Sequence, residues 1–429
     1  MFNIQFSMIN EGGGKIYTIN KMKRTLLLIF ALLFLFAVEI LRVYFIMPFP
    51  GSQRANTIDI AYVLNKYIWA FRILGFVLLL PLAIYAYRHA RIWKKIVLSF
   101  FIVLYGVVFY FFNFRFLADK MFYQPNNKIL ATVAENKIDS NKLVIGIAIN
   151  GQAKAYPIEI IGYHHQVQDT VGGEAVMITY CSVCRTGRVF SPFVDGEFQH
   201  FRLVGMDHFN AMFEDEKTKS WWRQATGEAI TGKMKGKSLK ELSSEQMRLS
   251  AWIRKYPNTL IMQPDPKFLK QYKGLEGFDA GTINSGLEKR DSASWKFKSW
   301  VVGVIVDEHA KAYDWNDLVK QRVINDTIFN KPIVIVLEKD NASFHVWNRM
   351  LSHLELGLFN PLMVNTELRF NIDEVSQTMK DNTGSVWTMN GICIEGELKG
   401  NKLDAVPAYQ EFWHSWKSFH QGTTMYHNQ

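Results

Sequence analysis

Cysteine is scarce in this chain, with 3 among 429 residues. So few cysteines exclude a small disulfide-rich scaffold, in which several bridges replace a hydrophobic core. The sequence also contains no nucleophile elbow, phosphate-binding loop, His-Glu-x-x-His motif or dinucleotide fingerprint. We therefore expect no nucleotide cofactor, and the sequence predicts neither a reaction nor specific catalytic residues.

Acidic residues are rare in the N-terminal third. Residues 1–123 contain 14 Lys and Arg but 4 Asp and Glu, whereas the remainder contains 35 of each. The net charge of +10 therefore belongs to the N-terminal third. A neutral C-terminal part lacks the positive footprint of a protein that binds a phosphate backbone, so we expect no nucleic-acid partner.

Long hydrophobic runs are confined to the same third. Those at 25–47, 67–87 and 96–114 are each near the roughly 20 residues that cross a bilayer core as a helix. They predict a transmembrane region of three helices over 22–120, with the lipid bilayer as a partner. The first run is too long for a signal peptide and lacks a small-residue cleavage site, so we expect an uncleaved anchor. Residues 1–21 are expected to be a disordered tail, with Met22 as an alternative start.

Lysine and arginine are distributed unevenly around these runs, which predicts the orientation. The loop between the first and second runs has only Arg54 and Lys66, with Asp59. The other two flanks have four basic residues each, namely Lys15, Lys21, Lys23 and Arg24, and Arg88, Arg91, Lys94 and Lys95. We expect the N-terminus in the cytoplasm, the helices in a bacterial inner membrane, and the C-terminal region in the periplasm or outside the cell.

Two ionisable residues interrupt the apolar runs. Glu39 lies in the outer half of the first run and Arg72 in the outer half of the second. Charged groups are costly in lipid and tend to pair. We predict a structural ion pair between them inside the membrane, with a functional site in the bundle as the alternative.

The chain after the third run repeats itself. "VIGIAINGQAKAYP" at 144–157 and "VVGVIVDEHAKAYD" at 301–314 align at an offset of 157. A block rich in tryptophan and glycine then aligns at an offset of 164, after a one-residue gap. Ordered blocks of this kind predict two homologous halves, at 130–265 and 291–429, joined by a linker at 266–290.

The residue patterns of both halves predict short β-strands. Asn150-Gly151 between two alternating runs predicts a hairpin, because this pair favours the turn with two positive φ angles. We expect few helices, around 243–255 and 408–420. The predicted fold class is three N-terminal transmembrane α-helices followed by a β-rich α+β extracytoplasmic region made of two homologous halves.

Comparing the halves singles out one chemical cluster. Cys181 and Cys184, in "ITYCSVCRTG", have no cysteine counterpart in the second half, and His164 and His165 have no histidine counterpart there. Because all four are lost together, we predict a metal site formed by Cys181, Cys184 and His164, with His165 or His208 as further candidates. Two thiolates and an imidazole suit a zinc or copper ion.

Asp169 and Tyr180 are expected beside these ligands, where hydrogen bonds would orient them. Asp169 lies five residues after His164, but its counterpart Asp326 persists without a histidine. That persistence favours a turn-capping role for Asp169.

Other interpretations of the cysteine pair stay open. The pair could be a thiol–disulfide redox couple, or a structural disulfide, since an unoccupied pair outside the cytoplasm tends to oxidise. Gly187 and the strand-like residues after it oppose the helix that follows such a pair in thioredoxin-like proteins. A non-catalytic binding or scaffold module is the remaining alternative.

Several segments together resemble a known family. "AKAYP", "HHQVQDTVGGEAVMITYCSVCRTG", "TKSWWRQATGEAITG" and "YPNT" are similar, in order across 144–265, to the domain of unknown function 3179 family. The resemblance places seven residues on family motif positions, namely His164, Asp169, Cys181, Cys184, Trp222, Gly227 and Gly232. His165 departs from the pattern, which commonly has an acidic residue there. The family name implies no biochemical activity.

Overall fold

The computed structural model describes residues 4–125, 127–356 and 361–427, with side chains for 22–125, 127–352 and 363–427. The chain forms two compact units. One comprises Met1–Met121 with Val204–Asp207, and the other Phe122–Leu203 with His208–Gln429.

The first unit is mainly helical. Its helices are α1 (Ile4–Tyr44), α2 (Ile58–Lys66), α3 (Ile68–His89), α4 (Ile92–Phe114) and α5 (Ala118–Met121). Three segments, Met22–Tyr44, Ile68–His89 and Ile92–Phe114, are long and apolar enough to cross a membrane, which confirms the predicted three-helix region. Because α1 begins at Ile4, the described part of the tail is helical and not disordered as expected. Extending an existing helix costs far less than nucleating one.

A polar network is enclosed by these helices. Arg72 donates from Nε to Glu39 Oε1 at 2.6 Å and from Nη2 to Glu39 Oε2 at 2.9 Å. Glu39 also accepts from Tyr105 at 3.2 Å and from the amide of Asn113 at 3.0 Å. The Asn113 carbonyl oxygen accepts in turn from Arg42 at 2.7 Å. Both carboxylate oxygens of Glu39 are thus satisfied, as a structural ion pair in an apolar bundle requires.

The second unit consists mostly of short strands. The first half has β1 (Leu130–Ala131), β2 (Leu143–Ile149), β3 (Gln152–Pro157), α6 (Ile158–His164), β4 (Gln166–Val171), β5 (Glu174–Cys181), β6 (Thr186–Phe190), β7 (Phe193–Val194), β8 (Glu197–Phe198), β9 (Phe201–Asp207), β10 (Asn210–Asp215), β11 (Trp221–Arg223), β12 (Ala229–Thr231), β13 (Glu245–Arg248), α7 (Leu249–Lys255) and β14 (Leu260–Met262). Of β9, residues Val204–Asp207 belong to the first unit. Helix α8 (Leu269–Lys273) lies in the predicted linker.

The second half follows the same order from the counterpart of β2 onward. It has β15 (Trp300–Val306), β16 (His309–Asp314), α9 (Trp315–Gln321), β17 (Val323–Ile328), β18 (Lys331–Leu337), β19 (Phe344–Asn348), β20 (Met350–Leu356), β21 (Pro361–Glu367), β22 (Asn371–Asp373), β23 (Thr378–Lys380), β24 (Val386–Thr388), β25 (Cys393–Glu395), β26 (Ala408–Phe412), α10 (Trp413–Phe419) and β27 (Thr424–Met425).

The sheets of the two halves correspond. In the first half their orders are β1-β14-β3-β2-β13, β4-β5-β6, β12-β11-β10-β9 and β7-β8. In the second half they are β26-β15-β16-β27, β17-β18-β19, β22-β23-β24-β25 and β20-β21. Strands β14 and β27 each run parallel to a hairpin strand, whereas the other described strand pairs are antiparallel.

The pairing registers shift by the offsets seen in the sequence. Val144 pairs with Pro157 in one half, and Val301 with Asp314 in the other. Core positions shift equally: Ile145, Ile161, Ile178 and Val189 in one half match Val302, Leu318, Ile335 and Val346 in the other. This agreement is what a duplication would produce, and common ancestry of the halves stays a prediction.

Matching contacts explain why the shared residues persist. A Cβ on Gly146 would lie 2.4 Å from the Trp252 ring, and one on Gly303 would lie 2.2 Å from the Trp416 ring. Only glycine lets these strands pass so close to an indole.

The two helix predictions need correction at their N-terminal ends. The segments expected to be helical around 243–255 and 408–420 begin with β13 and β26, and the helices occupy only Leu249–Lys255 and Trp413–Phe419. Pairing with β2 and β15 takes the first residues of each segment into a sheet. Tertiary pairing therefore outweighs local helix preference there.

Candidate functional site

The cysteine pair lies where one hairpin turns. Strand β5 ends at Cys181, which pairs with Thr186 at the start of β6, and Cys184 lies in the turn between them. Arg185 closes the turn in the left-handed region, with φ of 55°. The chain therefore re-enters a strand after Cys184 instead of beginning a helix, as the sequence predicts.

Both sulfurs converge on one backbone oxygen. The Cys181 thiol donates to the Phe209 carbonyl at 3.4 Å, and the Cys184 thiol donates to the same oxygen at 3.3 Å. The two side chains are fully buried, and both are free thiols. The pair is thus a buried dithiol whose sulfurs are near neighbours.

The oxygen over the sulfurs comes from a strained turn. His208 and Phe209, between β9 and β10, have φ angles of 48° and 68°. Neither is the glycine or asparagine that usually adopts this conformation, so each costs on the order of 1–3 kcal/mol. Strain of this kind persists where the surrounding structure enforces it, and here it places a carbonyl oxygen between two thiols.

The pKa values of the two thiols are shifted in opposite directions. Burial raises the pKa of Cys181, but hydrogen bonds from the Cys184 thiol and from backbone groups outweigh it and hold that pKa below its usual range. Burial and the neighbouring Cys181 sulfur raise the pKa of Cys184 well above its usual range. The positive charge of the buried Lys298, which donates to the Val183 carbonyl, favours the thiolate at both. Cys181 is therefore the more acidic thiol.

His414, at the start of α10, reaches the pair from the second half. Its Nε2 lies 3.9 Å from Cys184 Sγ, and its Nδ1 lies 3.1 Å from the Phe297 carbonyl oxygen. Burial and the nearby Lys298 charge lower the pKa of His414 to about 3, so the ring is neutral near pH 7. A neutral ring that donates from Nδ1 to Phe297 directs the Nε2 lone pair toward Cys184.

The sequence comparison missed His414 because it looked only for residues of the first half that the second half lacks, and not the reverse. Its counterpart at the offset of 164 is Ser250, so His414 is also present in one half only. Searching the second half for such singular residues would have found it.

Strand β26 and α10 hold the cysteine turn in place. The Phe412 amide donates to the Cys184 carbonyl at 2.9 Å. Arg188 Nη2 lies 2.5 Å from Glu411 Oε1, with both side chains buried. Arg185 Nε donates to Gln410 at 2.9 Å. The site therefore requires both halves of the β-rich unit.

Arg185 also forms part of a cavity wall. This cavity of about 750 Å³ is lined in addition by Asp279, Arg290 and Trp300. The guanidinium carbons of Arg185 and Arg290 lie 3.8 and 4.0 Å from the Trp300 ring centre. Asp279 Oδ1 is buried without a hydrogen-bond partner, and burial raises the pKa of this carboxyl to about 6.

The three histidines that the sequence predicts as metal ligands, His164, His165 and His208, make other contacts. His164 ends α6, where its Nδ1 contacts the Tyr123 carbonyl and its Nε2 lies 2.7 Å from the Tyr272 hydroxyl. Both nitrogens are taken up by these groups, so neither is directed at a sulfur. His165 lies 3.0 Å from the Tyr163 carbonyl through Nδ1, and His208 lies in the turn beside Phe209. The structure thus brings Cys181 and Cys184 together but places His164 in a tyrosine cluster.

Asp169 and Tyr180 also have other surroundings. Asp169 accepts from the Tyr156 hydroxyl at 2.7 Å and from Lys154 at 3.0 Å. Tyr313 makes the same bond to Asp326 at 2.7 Å, although that half lacks the histidine. The Tyr180 hydroxyl is buried without a partner. These contacts place Asp169 in the shared framework of the fold.

A second buried network braces the turn from below, and sequence reasoning missed it. The Gln224 amide donates to Thr179 Oγ1 at 3.0 Å and to the Thr186 carbonyl at 2.9 Å. Asn210 donates to Gln224 at 3.0 Å and accepts from the Ala225 amide at 2.8 Å.

Across the described residues, no group of three or more His, Cys, Asp or Glu side chains is gathered closely enough to hold a metal ion.

One family matches most of the chain. "Protein of unknown function (DUF3179)" covers residues 125–423. The chain belongs to this family. No curated protein matches it, and no solved structure does. The DUF3179 match spans both halves of the β-rich unit, beyond the motifs recognised at 144–265.

The structure explains why two positions of the DUF3179 motif are glycine. Gly227 and Gly232 have φ of 69° and 95°. A Cβ would lie 2.7 Å from the Phe190 ring at the first and 2.6 Å from Ser220 Oγ at the second. Both need glycine for backbone conformation and for close approach. They therefore serve the fold around the cysteine pair.

Proposed function

We propose that this DUF3179 protein is a membrane-anchored thiol–disulfide redox protein in which Cys181 and Cys184 are the reactive pair. The observation that carries the proposal is the convergence of both sulfurs on the Phe209 carbonyl, at 3.4 and 3.3 Å. Thiols three residues apart in a turn can close a disulfide over a short distance. The unequal acidity of the two thiols separates an attacking sulfur from a resolving one.

The exchange begins at Cys181. Its thiolate attacks one sulfur of a substrate disulfide, the substrate S–S bond breaks, and the other substrate sulfur leaves as a thiolate. Cys184 then loses its proton and attacks Cys181 Sγ, which breaks the mixed disulfide and releases the second substrate thiolate. Two electrons pass to the substrate, and the pair ends as a Cys181–Cys184 disulfide. The reverse sequence oxidises a substrate dithiol.

Access to the pair requires movement. Both sulfurs are buried beneath Phe209, so a substrate can reach Cys181 only when the turn at 208–209 is displaced. Relief of the left-handed strain at both turn residues favours that displacement. We expect exchange to be slower than for an exposed thiol.

The compartment supports this chemistry. Basic flanks at the N-terminus and between α3 and α4 favour a cytoplasmic location for those segments. With that orientation, three crossings would bring the cysteine pair to the periplasm or outside the cell, where thiols are readily oxidised. The two halves would be products of duplication, of which only the first carries the pair.

A metal site is the second candidate, favoured by the position of His414. Cys181, Cys184 and His414 would supply two sulfurs and one nitrogen, a donor set that suits zinc or Cu(I). Metal binding would require the His414 ring, whose Nε2 lies 3.9 Å from Cys184 Sγ, to move closer to both sulfurs. The Nδ1 contact of His414 with the Phe297 carbonyl is the kind of support that metal-binding histidines use. This assigns to His414 the role that the sequence predicts for His164.

One experiment separates the candidates. Full-length protein in detergent is equilibrated in glutathione buffers with a chelator, denatured under thiol-trapping conditions, and its free thiols are counted. Loss of two thiols with a midpoint potential above about −300 mV supports a redox pair. Cys184→Ser should abolish the transition, whereas the matched variant Cys393→Ser should preserve it.

Two results would reject the redox proposal. One is a pair that never oxidises in the folded protein, and the other is a disulfide that is reduced only after unfolding. Stoichiometric zinc or copper in protein purified without chelator, lost in both Cys181→Ser and His414→Gln, would establish the metal alternative.

A further inference from the structure

A cavity of about 370 Å³ lies at one end of the three apolar helices. It is formed where the span Met22–Tyr44 begins, where α3 ends and where α4 begins. These three ends lie on the same side of a membrane. Between the first and the second end the chain crosses twice, through Met22–Tyr44 and through α3, and it then turns back at Ala90 and Arg91 into α4. The cavity therefore lies at the level where lipid headgroups meet the hydrocarbon core.

The wall of the cavity has two chemically distinct parts. Arg24, His89, Arg91 and Lys94 contribute basic groups. Leu28, Leu82 and Leu98 contribute an apolar surface. None of the described residues that line the cavity is acidic. A basic part joined to an apolar part matches the phosphate and acyl chain of a phospholipid.

An aromatic ring fixes the position of two of the basic groups. The Arg24 guanidinium carbon lies 4.4 Å from the Tyr85 ring centre, and the His89 ring stacks against Tyr85 at 4.4 Å. Lys94 lies 5.3 Å from the Trp93 ring centre. Tyr and Trp at this level are typical of the membrane interface.

Among the residues whose side chains are described, no carboxylate neutralises the cations of the cavity. In the part of the chain whose side chains are described, no ion pair involves Arg24, Arg91 or Lys94. Positive groups gathered in this way at the edge of a low-dielectric region repel one another. An anionic ligand would remove that repulsion.

We propose that this cavity binds the headgroup of an anionic phospholipid. The lipid phosphate lies among Arg24, Arg91 and Lys94, and one acyl chain follows the leucines. A zwitterionic lipid is disfavoured because its own ammonium group would be placed among these cations. The proposal depends on the helices crossing a membrane and is independent of the chemistry at the cysteine pair.

The test uses the full chain in neutral detergent and native mass spectrometry with added phosphatidylglycerol or phosphatidylcholine. Each basic residue near a membrane surface contributes about 1 kcal/mol, so Arg24→Gln/Lys94→Gln should weaken phosphatidylglycerol binding by roughly 30-fold. Arg88→Gln/Lys95→Gln removes the same charge from the same side of the membrane but not from the cavity wall. This control should change binding by less than about 3-fold.

Either of two outcomes would overturn the site: equal loss in the two double variants, which indicates diffuse attraction, or equal binding of both lipids to the unaltered chain. Unchanged phosphatidylcholine binding in Arg24→Gln/Lys94→Gln verifies that its helices remain assembled. If that variant does not survive purification, Arg91→Gln replaces it, with an expected loss of about 5-fold against Arg88→Gln.

Discussion

Removing the buried Arg188 should destabilise the β-rich unit strongly. Arg188 and Glu411 are almost completely buried and lie 2.5 Å apart, and the Arg188 guanidinium also lies 3.3 Å from the Tyr409 ring centre. Arg188→Met leaves Glu411 as a buried carboxylate whose remaining partner is Ser415, at 2.9 Å. Breaking one side of a buried ion pair costs about 3–5 kcal/mol. For a unit of this size we expect the melting temperature to fall by roughly 5–8 °C.

The assay is thermal unfolding of the full chain in detergent, followed by tryptophan fluorescence. Arg188→Met/Glu411→Leu replaces the pair with apolar side chains and should recover most of the loss, because the uncompensated charge is gone. Lys217→Met is the matched control, since Lys217 and Glu197 form an exposed pair and should contribute little. A loss below about 1 kcal/mol in Arg188→Met, or a double variant as unstable as the sum of both single variants, would refute the reasoning.

Two further predictions concern packing and pH. Gly146→Ala should cost about 1–3 kcal/mol, because its Cβ would lie 2.4 Å from the Trp252 ring, whereas Gly286→Ala, with nothing within 4 Å, should be neutral in the same melting assay. Equal melting of the two variants would contradict this contact. Burial raises the pKa of Asp279 from 3.8 to about 6, so the folded state favours the protonated carboxyl. Its stabilising contribution is complete below about pH 4 and is lost as the pH rises through about 6. Asp279→Asn should therefore gain stability relative to the parent at pH 7.5 but not at pH 4, and a gain that does not change with pH would argue against this titration.

Much of the fold can be predicted from local sequence. A bilayer imposes a length and composition on any helix that crosses it, so three apolar runs suffice to predict three helices. The hairpin at Asn150 and Gly151 is equally local, because both residues adopt positive φ, of 49° and 80°. The offset of 157 predicts the pairing of β15 with β16 from that of β2 with β3, since equal spacing preserves register.

The candidate site was predictable only in part. Gly187 and the strand after it correctly predicted that the cysteine pair does not begin a helix. The surroundings of the sulfurs were not predictable, because they depend on which distant segments pack over the turn. His164 was predicted as a ligand because the second half lacks it together with the cysteines, but α6 directs it to Tyr272.

The sequence by itself determined the membrane helices, the two matching sets of strands and the singular cysteine pair. These follow from short-range rules, namely helix length in lipid, turn chemistry and hydrophobic alternation. Tertiary structure decided what faces the sulfurs. The Phe209 carbonyl lies 25 residues from Cys184 in sequence and His414 lies 230 residues away. His414 lies there because β26 and α10 are buried against the first half of the β-rich unit. The Phe209 carbonyl lies there because the strained turn closes over the sulfurs. Both arrangements satisfy packing and backbone hydrogen bonding that no single segment can satisfy alone.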